Sequence, residues 1–186
     1  MKNLFIFAAF LTLVSCAHPD QKIKFDLNLN EQKSNIGKGA GIDLVLIDER
    51  SDDILGVKEF SAEEKIKISS DKNLAEFLQK KISENLQQKG FKIGFSKTLE
   101  IHIVNLEYSA KRKFFIGESA GKIAVTAVVT NNKNQSILTK KFGSSLDSKH
   151  FIAPLESTDA ASINDLLKEI LKNILEDAEL LKKLTE

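Results

Sequence analysis

Seven aliphatic residues near the carboxyl end, Ile163, Leu166, Leu167, Ile170, Leu171, Ile174 and Leu175, recur at spacings of three and four. Lys168, Glu169, Lys172 and Glu176 occupy the opposite side. This is the apolar face of an α-helix, and it is stable in water only when another apolar surface covers it. Asp159 or Ser162 can open the helix. Ala178, Leu181 and Leu184 extend the stripe roughly in phase, so the helix runs on or breaks near Asp177 into a short tail helix.

The covering surface is predicted from segments of period two. Ile23, Phe25, Leu27 and Leu29 alternate with Lys24, Asp26 and Asn28. Ile42 to Ile47 is almost continuously apolar and reads as an interior strand. A polar turn, Asp48 to Asp53, separates it from a short strand, Ile54 to Val57. Leu74, Phe77, Leu78, Ile82 and Leu86 mark one face of a second helix. Ser70 or Asp71 can cap its start, and Gly90 fits just past its end. Leu99 to Tyr108 is a strand whose phase slips between Ile103 and Val104, which predicts a bulge. Lys111 to Gly117 is a polar and aromatic connection. Gly121 to Val129 and Ile137 to Phe142 flank the turn Asn131 to Asn134 as a hairpin. The expected fold is α+β: a mostly antiparallel β-sheet with two amphipathic helices packed on one face.

The amino terminus is of another kind. Met1-Lys2-Asn3 precedes an apolar run from Leu4 to Val14, and no acid appears before Asp20. This is the pattern of a secretory signal, too short for the roughly 20 apolar residues of a membrane-spanning helix. It ends Leu13-Val14-Ser15-Cys16, which resembles the bacterial lipobox. That resemblance implies a diacylglycerol on the Cys16 sulfur, removal of residues 1–15 and acylation of the new amino group. Ala17 after the cysteine implies, by resemblance to enterobacterial lipoproteins, transfer to the outer membrane. The expected organisation is a cleaved signal peptide over 1–15, a lipidated cysteine and tether over 16–22, and one α+β domain over 23–186.

Composition closes other routes. Cys16 is the single cysteine, so neither an internal disulfide nor a cysteine zinc cluster can form. Lys plus Arg number 27 against 26 Asp plus Glu, which leaves no field for a polyanion. Arg50 and Arg112 are the two arginines, and nucleic-acid recognition favours arginine's planar fork. No nucleic acid is expected as a partner. The expected partners are the membrane, through the anchor, and an envelope protein or lipid.

The lipobox, a strand ending in Asp48-x-Arg50-x-Asp52, Ile54-x-Gly56, the helix Leu74 to Gln88 followed by Lys89-Gly90-Phe91, the strand Leu99-x-Ile101-x-Ile103 and the terminal helix stand in an order that resembles the YajG family of bacterial outer-membrane lipoproteins. The resemblance places Asp48, Arg50 and Gly56 on the family's turn motif; Glu49 stands where a small residue is common. It implies an outer-membrane lipoprotein facing the periplasm and carries no enzymatic activity with it.

Candidate chemistry is sparse. Gly117-Glu118-Ser119-Ala120-Gly121 spells the nucleophile-elbow pattern, with Asp147 and His150 following in triad order. That chemistry needs strand, sharp turn and helix, and here the motif leads into a strand. Gly37 to Gly41 is glycine-rich without a phosphate-binding ending. His18, His102 and His150 are too scattered to hold a metal. No catalytic residue, metal site or cofactor is expected, the acyl groups on Cys16 aside. Asp48 and Arg50 form either a local ion pair or a partner contact. Lys111, Arg112, Lys113, Phe114 and Phe115 form a basic and aromatic cluster at an expected hairpin tip, a candidate contact for lipid headgroups or an acidic partner. The leading expectation is a non-enzymatic binding or assembly accessory. The alternatives are a carrier holding an amphipathic ligand between sheet and helices and, more remotely, a serine hydrolase.

Overall fold

A computed structural model describes residues 19–29, 33–94, 96–113, 116–150 and 156–186, apart from the side chains of Arg112, Lys113 and His150. The chain runs β1 (Gln21–Ile23), β2 (Gly41–Asp48), β3 (Gly56–Glu59), β4 (Lys65–Ser70), α1 (Leu74–Gln88), β5 (Lys92–Ile93), β6 (Lys97–Lys113), β7 (Ile116–Thr130), β8 (Ser136–His150), α2 (Glu156–Leu175) and α3 (Ala178–Thr185). Among the described residues the strands form one mixed sheet of eight.

β6 organises the sheet. One edge pairs antiparallel with β7, which pairs antiparallel with β8. The other edge carries two strands in succession, both parallel to β6. β2 lies along Ile42↔Lys97 to Asp48↔Ile103, and β3 along Val57↔Ser109 to Glu59↔Lys111. β4 pairs antiparallel with β3, and β1 pairs parallel with β4. Among the described residues four of the seven strand pairings are parallel.

The expectation of a mostly antiparallel sheet with two helices is therefore corrected: the sheet is mixed, and the described residues form three helices. The alternation of apolar residues assigns faces, whereas strand direction depends on the connections. Between β2 and β6 the chain crosses over through α1, as parallel pairing requires. The third helix arises because the Asp177 side chain accepts the Leu180 amide at 2.8 Å and opens a new helix two residues after α2 ends.

Other elements differ in their bounds. The segment Lys65–Ser70, with Ile66 and Ile68 buried, was not predicted as a strand. Asn73, rather than Ser70 or Asp71, caps α1 by accepting the Glu76 amide at 3.0 Å. Past α1, Gly90 at φ +86° lets Phe91 N donate to Leu86 O and Gly90 N to Gln87 O, both at 3.0 Å. The predicted bulge lies where the β6–β7 register shifts between Ile103 and Asn105.

All three helices cover the same face of the sheet. In-register rows such as Leu44–Leu99–Val129 point inward and join Ile82, Leu86, Ile163, Leu167, Ile170, Leu181 and Leu184 in one apolar cluster. Gly121 brings α2 close: a Cβ there would stand 3.3 Å from both Leu166 Cδ2 and the Tyr108 ring. Gly56 brings β3 against β6, since its Cβ would stand 2.7 Å from Tyr108 Cβ and collide with Tyr108 O.

Candidate functional site

The turn between β2 and β3 is pinned by its own side chains. Arg50 Nε donates to Asp48 Oδ1 at 2.9 Å and Nη2 donates to Oδ2 at 2.7 Å. Nη1 donates to Ile54 O at 2.9 Å, and Ile54 N donates to Asp52 Oδ1 at 3.0 Å. A bidentate arginine–carboxylate fork of this kind gives direction as well as energy. The Arg50 side chain is 7% exposed, so little of it is presented to a partner. Replacing Arg50 with Ala is expected to destabilise the fold by about 2 kcal/mol, the range for a hydrogen bond to a charged group. In a chain of this size that lowers Tm by roughly 4–8 °C. An unchanged Tm together with lost crosslinking to an envelope partner would instead make Arg50 a contact residue.

Of the basic cluster, Lys111, Arg112 and Lys113 close β6, where Lys113 pairs with Ile116 of β7. Lys111 ends the β6–β3 pairing and lies across from Glu118 of β7. Its ammonium is 3.0 Å from Glu59 Oε2, and Lys65 holds the other oxygen at 2.9 Å. Both lysines, Lys65 first, hold the Glu59 carboxyl below its usual range. Lys111 is thus balanced locally, and its side chain remains half exposed. Phe114 and Phe115 lie outside the described residues, as do the side chains of Arg112 and Lys113, His18 and the whole of the Cys16 segment.

The serine motif is not an elbow. Gly117, Ser119 and Gly121 all lie within β7, on its helix-facing side, and Ser119 is buried. Asp147 is on the opposite face of the sheet, exposed. His102, on the outer face, is held by Glu49 at 2.7 Å and Glu100 at 3.4 Å. The Gly37–Gly41 loop is a structural wedge. Gly37 N donates to Lys89 O and Gly39 N to Gly90 O, both at 2.8 Å, and a Cβ on Gly37 would stand 2.6 Å from Phe91 Cγ. Among the described residues no three metal-ligating side chains converge.

The sequence reading missed a buried polar cluster under α2. Asp159, fully buried, receives Lys58 Nζ on Oδ2 at 2.6 Å and the Tyr108 hydroxyl on Oδ1 at 2.9 Å. Burial, and then the Asp159 charge, push the Tyr108 hydroxyl well above its ordinary pKa; the neighbouring Ser119 and Ser162 hydroxyls oppose this. A signal was present. Asp159 stands four residues before Ile163 on the apolar stripe, and Lys58 stands at an inward position two residues after Gly56. Each is a charge placed on a core face, and each demands a partner.

On the outer face, at the same end of the sheet, lies an open hollow of about 460 Å3. Its floor is made of small side chains from neighbouring strands: Val57, Ser109, Ala120 and Ser145. Lys122 and Glu107 form a 2.9 Å ion pair on its rim.

No curated protein matches the sequence. The protein XCC0632 from Xanthomonas campestris, described with the family DUF330, shares the fold with TM-score 0.53 and 11% identity over 89% of this chain and 93% of that one. A minor lipoprotein from Acinetobacter baumannii aligns with TM-score 0.40 and 12% identity over 73% of this chain and 90% of that one. Lipoprotein GNA1162 from Neisseria meningitidis aligns with TM-score 0.39 and 10% identity over 59% and 84%. The model of one family, Lipoprotein_16, matches residues 28–185, nearly all of the body whose strands and helices are described above, and the chain belongs to that family of uncharacterised lipoproteins.

Proposed function

We propose that the chain is a lipid-anchored outer-membrane lipoprotein facing the periplasm, and that it serves as a non-enzymatic binding or assembly accessory in the bacterial envelope. The observation that carries this is Cys16, set directly after a signal-type apolar run in a chain of a lipoprotein family. Two or three acyl chains give stable attachment where one gives only marginal binding. Removal of Lys2 with residues 1–15 leaves 26 cations against 26 acids, so acyl chains rather than a basic surface would hold the protein at its membrane. Ala17 and the YajG-like order of elements favour the outer membrane.

The core favours an accessory over a carrier. Residues facing each other between sheet and helices, among them Ile101, Ile103, Ile163, Leu167 and Ile170, are almost wholly buried against one another. The burial of Ser119 within β7 argues against a hydrolase.

Cells fed radioactive palmitate are expected to label the wild-type protein and not Cys16→Ala, which moves to the soluble fraction. A Cys16→Ala protein that still labels and still sediments with membrane refutes the anchor. Density-gradient separation of the two membranes tests the location, and in-cell crosslinking with mass spectrometry tests for the partner.

A further inference from the structure

β1 runs parallel to β4, which is antiparallel to β3, which is parallel to β6. β1 therefore runs opposite to β6, and the chain preceding it points toward the β6–β7 turn. The register fixes the level. Gln21 is abreast of Ile68, Ile68 of Gly56, and Gly56 stands against Tyr108. Asp20 Oδ1 accepts the Lys67 amide at 2.9 Å, which keeps the chain on this course one residue further out.

Two lengths then decide the geometry. From Tyr108 to Lys113, where β6 ends, there are five residues, about 17 Å of strand. From Gln21 back to Cys16 there are also five residues, at most about 18 Å when fully extended. An acylated Cys16 would sit at the bilayer interface, whose headgroup layer is roughly 5–7 Å thick. Even an extended tether only brings Cys16 level with the end of β6 at Lys113, and any bend in it draws that end of the sheet toward the headgroups. The same end of the sheet carries the β3–β4 turn, because Glu59 is abreast of Lys111.

From this, resting on the Cys16 anchor of the preceding section, we infer that the sheet end bearing the β6–β7 and β3–β4 turns lies against phospholipid headgroups. The opposite end, with the β7–β8 turn at Asn131–Gln135, then points into the periplasm. Described residues at the inferred contact suit it. Ile116 is 46% exposed although aliphatic, and at the same end of the sheet the side chains of Lys65 and Lys111 are about half exposed. An exposed aliphatic residue at the same end of the sheet as half-exposed lysines suits a surface of phosphates over acyl chains.

The test uses the full, lipidated protein in vesicles of phosphatidylethanolamine and phosphatidylglycerol containing a nitroxide-headgroup lipid. Acylated Cys16 cannot react with a thiol probe, so Ile116→Cys and Lys133→Cys each take a single fluorophore at an exposed position. Several-fold stronger quenching at 116 than at 133 is expected. Flotation with the vesicles but equal quenching, or stronger quenching at 133, overturns the orientation while leaving the anchor intact. Failure to float, with the thiol probe reacting at Cys16 in the wild-type protein, overturns the anchor and the orientation with it.

Discussion

Asp159→Ala is expected to be among the most damaging substitutions in the body, lowering the unfolding free energy by about 3–5 kcal/mol. The carboxylate is fully buried and is held by Lys58 at 2.6 Å and Tyr108 at 2.9 Å. Its loss removes the anion 2.6 Å from a largely buried ammonium, and with it the closest charge that offsets that group's desolvation. For a chain of this size the fall in Tm is on the order of 10 °C. The pair itself is a different matter from its rupture. Lys58→Met with Asp159→Leu removes both charges together, and Tyr108→Phe removes the hydroxyl that would otherwise lose its acceptor. This triple variant is expected to regain most of the stability lost by Asp159→Ala. Denaturant titration followed by far-ultraviolet circular dichroism measures all three species. Equal stability of Asp159→Ala and wild type would show that the cluster does not bind α2 to the sheet.

The second large effect concerns packing. Leu167 is fully buried at the centre of α2, among side chains of the sheet and the other helices. Leu167→Ala removes its isopropyl group and leaves a cavity, for an expected loss of about 2–5 kcal/mol. Ile137→Ala, at a position 36% exposed on the edge strand β8, is the matched comparison and is expected to change stability by well under half as much. Chemical denaturation midpoints read both. Similar losses at the two sites would mean that α2 does not bury its stripe as the structure has it.

Much of this architecture could be read along the chain. The stripe from Ile163 to Leu175 is the buried face of α2, and the face from Leu74 to Leu86 is that of α1. The phase slip at Ile103 marks a real bulge, and Asn131 to Asn134 a real hairpin turn. These features are local: a helix or strand records its buried side in the spacing of its own residues. Direction was less accessible. The run Ile42 to Ile47 announced an interior strand, but its parallel pairing with β6 depends on a chain that crosses through α1 before returning. The strand Lys65–Ser70 was overlooked because its inward residues, Ile66 and Ile68, are only two.

The candidate sites divide in the same way. The Asp48–Arg50 fork spans two residues, and its partners could be named from the sequence. The Lys58–Tyr108–Asp159 cluster joins residues 101 and 51 positions apart, so only the fold brings them together. The serine motif shows the converse. Its spelling suggested chemistry, yet Gly121 serves to admit Leu166 and Ser119 is an inward strand residue.

What the sequence determined by itself was the apolar faces, the turn chemistry and the cysteine at position 16, because each is carried by residues within a few positions of one another. What only the tertiary structure decided was the mixed direction of the strands, the pairing of charges inside the core and the end of the sheet at which β1 begins. Those depend on which distant segments lie abreast, and that is settled by burying all the apolar faces at once rather than by any segment alone.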